Sequence, residues 1–273
     1  MTNITNINYF LKCGDFISSY KGHSVFAMIL SLLFFPNPIS IAIAIIGANL
    51  PDFDLDVKKI NLYRIEIIGL ILFIVLYIAN LPYFIGIIFC ILPIIFYFSK
   101  HRGFTHSLLG IAILSIFLFL VIVMGVAIFS PILSSFELFN QRFSSELIVI
   151  SLIIMGLAIL TLNKKLIAPF LALFLIGILF LPDGLSMYYA PFYNNFYSYI
   201  SVIVPVVSYN SYKLLMLILF PLFLGSLSHL ILDSLTPLGI ELFRPFSSKK
   251  VHKIFAFICL ILLGAFLFFI RFL

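Results

Sequence analysis

From Ser107 to Phe136 the chain runs for thirty residues without a charged side chain. About 20 mostly apolar residues are enough to carry an α-helix across ~30 Å of hydrocarbon. In that solvent each backbone N–H and C=O must be bonded within its own element, which leaves only helices and closed β-barrels. A barrel strand alternates apolar and polar residues, whereas the runs here are continuous, so the barrel is excluded. Comparable runs predict helices over 65–80, 82–99, 106–130, 146–162, 166–182, 213–233 and 253–271. The predicted fold is all-α: a polytopic transmembrane helix bundle of about seven spans plus a short N-terminal helical hairpin.

Composition agrees. The chain is 63% hydrophobic and 10% charged, against roughly 25% charged residues in a soluble domain. No low-complexity linker, soluble domain or internal repeat interrupts it, so 1–273 reads as a single integral-membrane domain. Its first segment, 1–21, is polar and lacks the apolar core of a cleaved signal peptide. Cys13, Cys90 and Cys259 are isolated and show neither metal-type pairing nor a disulfide framework. The formal net charge of +6 would suggest nucleic acid in a soluble protein. In a membrane protein it reads as lysine and arginine retained on cytoplasmic loops, and no direct nucleic-acid contact is expected.

Residues 24–49 hold two apolar stretches, SVFAMILSLLF and SIAIAIIGANL, each about eleven residues and divided by Phe35-Pro36-Asn37-Pro38. At ~1.5 Å per residue each would be only ~16 Å long, about half a bilayer. Prolines remove helical hydrogen bonds and push the preceding residue to extended backbone. A hairpin that enters and returns on one side is favoured over a single kinked span. The tyrosine-rich stretch 183–211 reads as an interfacial aromatic belt, with a substrate-gathering surface as the alternative.

Counting spans from such a hairpin puts thirteen of the sixteen lysines and arginines on one side, leaving Arg142, Lys213 and Arg271 opposite. That asymmetry marks the first side as cytoplasmic. On it the same count places His23, Asp52, Asp54, Asp56, His101, His106, His229 and Asp233, although only hydrophobicity was used to draw the helices. Ionisable groups at a membrane are costly, at ~2.5–3.5 kcal/mol each on insertion scales, and are functional candidates by default.

The spacing narrows their roles. His229 and Asp233, at i and i+4, share one helix face and can ligate one metal ion; a hydrogen-bonded pair or a helix-end cap would use the same spacing. Asp52 and Asp54 follow Pro51 and could both face an ion where the backbone bends. Asp56, beside Lys58 and Lys59, reads as a solvated loop acid. In HRGFTHS, His101 is expected in the loop and His106 in the first turn of the next helix, capped by Thr105 or nearby backbone. That helix N-terminus and Arg102 could together cradle an anion, while Arg102 would equally serve as a positive-inside charge. His252, among Lys249, Lys250 and Lys253, reads as an interfacial base.

The motifs GHS at 22–24, LPDFD at 50–54, HRGFTHS at 101–107 and SHLILDSLTPLG at 228–239 resemble, in order and chemistry, the YdjM-like family. Its members are described as inner-membrane, metal-dependent hydrolases and sometimes as LexA-binding. The motif-bearing core is 22–56, 99–130 and 213–246, with 62–98 and 131–212 resembling added helix pairs. The resemblance implies membrane-bound metal-dependent hydrolysis, with His23, Asp52, Asp54, His101, His106, His229 and Asp233 as candidate site residues. It supplies no substrate, and LexA binding is not carried over by motifs alone.

The expectation is therefore a hydrolase with a cytoplasm-facing site, acting on a phosphoester or lipid-linked substrate through metal-activated water. His23, Asp52, His106, His229 and Asp233 are the expected metal ligands. Asp54 is expected to be a ligand or general base, with His101 and Arg102 holding substrate or moving protons. Mixed His/Asp ligation suits Zn²⁺, with Mn²⁺ or Fe²⁺ next and one or two ions, and suits Mg²⁺ less. A transporter or channel for a metal or small anion is the alternative, and a scaffold with a structural metal a third reading. Expected partners are the lipid bilayer and a small or lipid-linked substrate.

Overall fold

The structure, a computed structural model, describes residues 19–53, 59–99, 102–135, 144–180 and 213–272. Among them nine α-helices occur, with one isolated β-bridge between Ile240 and Val251. They are α1 Tyr20–Phe34, α2 Pro38–Asn49, α3 Lys59–Ile78, α4 Phe84–Phe98, α5 Leu108–Ser134, α6 Ser145–Thr161, α7 Lys164–Leu179, α8 Phe220–Leu235 and α9 Lys253–Phe272. A 3₁₀ turn, Phe104–His106, precedes α5, and a π-helical turn, Leu215–Leu219, leads into α8.

Among the described residues, two stretches are both long and apolar enough to cross a membrane, Leu108–Ser134 and Leu215–Leu235. Shorter apolar helices accompany them, Tyr20–Phe34, Pro38–Asn49, Phe84–Phe98, Ser145–Thr161 and Lys253–Phe269. The second long stretch is 72% buried within the protein, the first 44%. α8 is therefore the axis of the bundle, while α5 keeps an outward face. Exposed leucine, isoleucine and phenylalanine side chains cover the outer faces of α3 and α9, among them Leu70, Ile74, Ile258 and Phe268. α3 starts several residues before the predicted 65: its early charges Arg64 and Glu66 are solvent-facing and so do not break the helix.

The first two helices form the expected hairpin, and local chemistry sets its ends. Ser19 caps α1 by accepting from the Gly22 N–H at 3.2 Å. Pro36 stops α1, and Asn37 caps α2, its Oδ1 accepting from the Ser40 N–H at 2.9 Å with Pro38 in the first turn. At the open end the Asn49 side-chain amide donates to Ser24 Oγ at 2.9 Å, tying the last residue of α2 to the second turn of α1.

The hairpin packs on α8 with almost no side chain between the backbones. A Cβ on Gly47 would lie 2.3 Å from the Leu222 carbonyl oxygen, and one on Gly225 would lie 2.0 Å from that of Ala44. Small residues permit such an approach, which replaces the hydrophobic drive that is lacking between helices in lipid. Pro221 has no N–H, so the regular partner of the Leu217 carbonyl four residues earlier is missing. Ser40 Oγ donates to that carbonyl at 3.1 Å, and the Phe220 N–H reaches back to Leu215 in a π-type bond. The proline, the π turn and Ser40 together fix α8 against the hairpin tip.

Candidate metal centre

Four chain segments end at one place. His23 lies in the second turn of α1, and Asp52 in the turn that Pro51 opens after α2. His106 closes the 3₁₀ turn before α5, and His229 and Asp233 lie a helical turn apart near the end of α8. His23, His106, His229 and Asp233 are 3% exposed or less. Side-chain exposure rises to 27% for Asp52 and 21% for Arg102, so the cluster opens toward these two.

The donor atoms face one another at short range. His106 Nε2 lies 3.3 Å from Asp52 Oδ1 and 3.6 Å from Asp233 Oδ2. His229 Nε2 lies 3.5 Å from each of the same two oxygens. His23 Nε2 lies 3.6 Å from Asp233 Oδ1, and its ring stacks on that of His229 with centroids 3.9 Å apart. Two overlapping groups, His23–His229–Asp233 and Asp52–His106–His229, could each hold a metal ion, their ligand atoms all lying within 4.8 Å of one another.

His229 tests whether these residues suit a cation. Its Nδ1–H donates to the Ala48 carbonyl at 2.7 Å, which leaves Nε2 as the nitrogen turned to the cluster. That buried nitrogen has no hydrogen-bond partner and points at two carboxylate oxygens. A nitrogen facing two carboxylate oxygens needs positive charge between them, which a proton on the ring or a metal cation supplies. Donors of a tetrahedral site lie ~2.1 Å from the ion, hence ~3.4 Å from one another. The observed separations of 3.3–3.6 Å match that spacing. The residues fit a small divalent ion.

Surrounding groups orient the ligands, as partners of metal-binding histidines commonly do. Thr105 Oγ1 lies 3.1 Å from His106 Nδ1, and the Thr105 N–H donates to Ser99 Oγ at 3.2 Å. Phe53 packs edge-on against Phe96 at 5.1 Å, anchoring the turn that carries Asp52. Burial holds the His106 imidazole below its ordinary value of 6.5, with His229 adding to the effect, against the opposing pull of Asp52. At Asp52 burial pushes upward, but the His229 and His106 imidazoles outweigh it and hold the carboxyl below the usual carboxylate range. A neutral imidazole and an ionised carboxylate are the forms that ligate.

Arg102 adopts left-handed backbone, φ +59°, a conformation a non-glycine residue keeps only where its surroundings enforce it. Its guanidinium donates to Thr236 Oγ1 at 3.0 Å and stands 3.8 Å from Asp233 Oδ1. Thr236 in turn donates to the Asp233 carbonyl at 2.7 Å. The arginine thus reaches the cluster through Asp233.

The geometry corrects two expectations around HRGFTHS. His106 lies outside α5, in the 3₁₀ turn, and the cap is Ser107, whose Oγ accepts from the Gly110 N–H at 3.0 Å. Threonine and serine can both cap, and the serine sits where the helix starts. At the N-terminus of α5, two of the N–H groups that an anion cradle would use are already engaged. The Leu108 N–H is spent on the Leu242 carbonyl at 3.1 Å and that of Gly110 on the cap. Asp54, Asp56, His101, Cys13, Arg142 and the tyrosine-rich stretch 183–211 lie outside the described residues. His252 is exposed and packs over Gly239. Sequence reasoning missed the Ala48 carbonyl, Thr105 as a partner of His106, and Thr236. Thr236 carries a signal, three residues past Asp233 in DSLTP, whereas a backbone carbonyl carries none.

No curated protein and no solved structure matches the chain. The model of one family, described as YdjM inner membrane protein, matches residues 20–272, enclosing 62–98 and 131–212 as well as the four motifs. With that match over nearly its whole length, the chain belongs to the YdjM inner membrane protein family.

Proposed function

We propose that the cluster is the metal centre of a membrane-embedded hydrolase that cleaves a phosphoester or lipid-linked substrate at the cytoplasmic face. The observation that carries this reading is the buried Nε2 of His229, without a hydrogen-bond partner and set 3.5 Å from two carboxylate oxygens by the Ala48 hydrogen bond. With Nδ1 engaged, His229 can serve one ion only, and because both groups depend on it we read them as one centre. Three imidazoles and two carboxylates favour Zn²⁺, with Mn²⁺ or Fe²⁺ next.

A bound divalent ion supplies Lewis acidity, polarising the scissile group and lowering the pKa of water. The chain's residues supply the rest. His23, His106, His229 and Asp233 hold the ion in a buried pocket that excludes bulk water. Asp52, at the open side, both ligates and stands where a proton leaving water can be accepted. Arg102 orients Asp233 and offers positive charge to a phosphate at the same opening. Asp54 and His101, adjacent in sequence to this opening, are assigned general-base and proton-transfer roles.

The position of the site supports an enzyme over a transporter. Four of the five ligands lie near helix ends or in turns, and His229 lies one turn before Asp233 in α8, whereas transport sites gather near the bilayer midplane on broken helices. The thirteen-to-three charge asymmetry supports a multi-pass topology with the site in the cytoplasm. The test is zinc-dependent turnover of a panel of phosphomonoesters, phosphodiesters and phospholipids by purified wild type and Asp233→Ala. Hydrolysis abolished by chelation, restored by zinc and lost in the variant is expected. A metal-loaded wild type that turns over nothing in the panel overturns the hydrolase reading.

A further inference from the structure

A groove of about 390 Å³ lies between α1, α2 and α7, within the ~300–1,000 Å³ range of small-ligand sites. Its wall is almost wholly apolar, formed by side chains such as Met28, Ala42, Leu166 and Phe174. At the hairpin tip α7 closes on α2, where a Cβ on Gly177 would lie 2.9 Å from Pro38. The other end is Ser24, next in sequence to His23 and hydrogen-bonded to Asn49, three residues before Asp52. The groove therefore runs from the hairpin tip to the residues that carry two of the five candidate ligands.

We propose that this groove holds one acyl chain of an anionic phospholipid whose phosphate head lies at the metal centre; this names a substrate class for the hydrolase proposed above and rests on that reading. Three features select this occupant. Val25 and Leu173 on the rim are 41% and 67% exposed, so the groove opens sideways, where a bilayer presents its own lipid. Apart from Ser24 at its end, the wall is lined by apolar side chains, which suits hydrocarbon and excludes a sugar or peptide backbone. Exposed Lys21 on α1 and Lys164 and Lys165 on α7 stand at the Ser24 end and complement an anionic head.

The probe is phosphatidic acid with a diazirine in mid-chain, in phosphatidylcholine vesicles containing the full-length protein. Photolysis is followed by mass-spectrometric mapping. Label is expected on groove residues of α1, α2 and α7, displaced by unlabelled phosphatidic acid and not by added phosphatidylcholine. Filling the groove with Ala42→Phe or Met28→Trp excludes a few methylenes and should cut that label by about tenfold. Metal content reports whether each variant is folded, and Met28, at the half-buried rim, decides if Ala42→Phe does not load metal. Label spread over the outer faces of α3, α5 and α9, or unchanged in the folded variants, overturns the proposal. The two readings separate cleanly. Turnover of a soluble phosphoester without groove labelling removes only the lipid assignment, and groove labelling without turnover removes the hydrolase and keeps the groove.

Discussion

Gly225→Ala is the smallest change that should disable the site without touching a ligand. The added Cβ would sit 2.0 Å from the Ala44 carbonyl oxygen, and ordinary contact begins near 3.4 Å. The Cβ is fixed rigidly to the α8 backbone and the oxygen belongs to that of α2, so the two helices must separate by about 1.4 Å at that level. His229 is one turn further along α8, and its 2.7 Å bond to the Ala48 carbonyl would stretch beyond hydrogen-bonding range. Overpacking of this kind costs about 1–3 kcal/mol in stability. Loss of an orienting partner lowers metal affinity by about 10–100-fold. Competition against a chromophoric zinc chelator in detergent reads the affinity, and thermal unfolding by circular dichroism reads the stability. Gly156→Ala, where a Cβ meets nothing within 4 Å, is the control and should leave both unchanged. A Gly225→Ala protein with wild-type affinity and stability would refute the argument that backbone contact sets the position of His229.

Other perturbations separate the remaining elements. Thr105→Val removes the oxygen 3.1 Å from His106 Nδ1 and should weaken zinc binding by about tenfold with little change in melting temperature. Ser40→Ala deprives the Leu217 carbonyl of its side-chain donor. It should cost about 0.6 kcal/mol, and at most about 1.7, in unfolding titrations, the average and maximum for hydrogen bonds between membrane helices, and leave zinc stoichiometry intact. Zinc affinity should fall as pH drops, because protons compete for the imidazoles and binding releases them. The decline should become steep below about pH 6.5, the ordinary histidine value. His106, held below that value by burial, gives up its nitrogen later, and Asp52, held low by its imidazole neighbours, stays ionised throughout. Affinity that is flat or rises in acid would contradict neutral imidazole ligation.

Several of these elements were legible in the sequence because they depend on spacing. His229 and Asp233 share a helix face wherever that helix lies. Prolines 36 and 38 force a break that makes a half-bilayer hairpin the natural fold, and counting spans from it then brings His23, Asp52, His106 and α8 together. What stayed hidden depends on contacts between distant backbones. Nothing in IIGANL or LGSLSH announces that Gly47 and Gly225 meet facing carbonyls, or that Ala48 offers its oxygen to His229. The limits of α5 were blurred for a different reason. Thr105 and Ser107 are both competent caps, and only tertiary packing, with Leu108 bonded to Leu242, decides that the helix starts after Ser107.

The central claim is that His23, Asp52, His106, His229 and Asp233 hold a single divalent ion. Zinc titration of the purified full-length protein, followed by X-ray absorption spectroscopy of the loaded sample, tests it most directly. The account predicts one equivalent of tightly bound zinc in a shell of nitrogen and oxygen at ~2.0–2.1 Å, with the multiple scattering of several imidazoles and no sulfur. No retained zinc, or a shell without imidazole scattering, would contradict it.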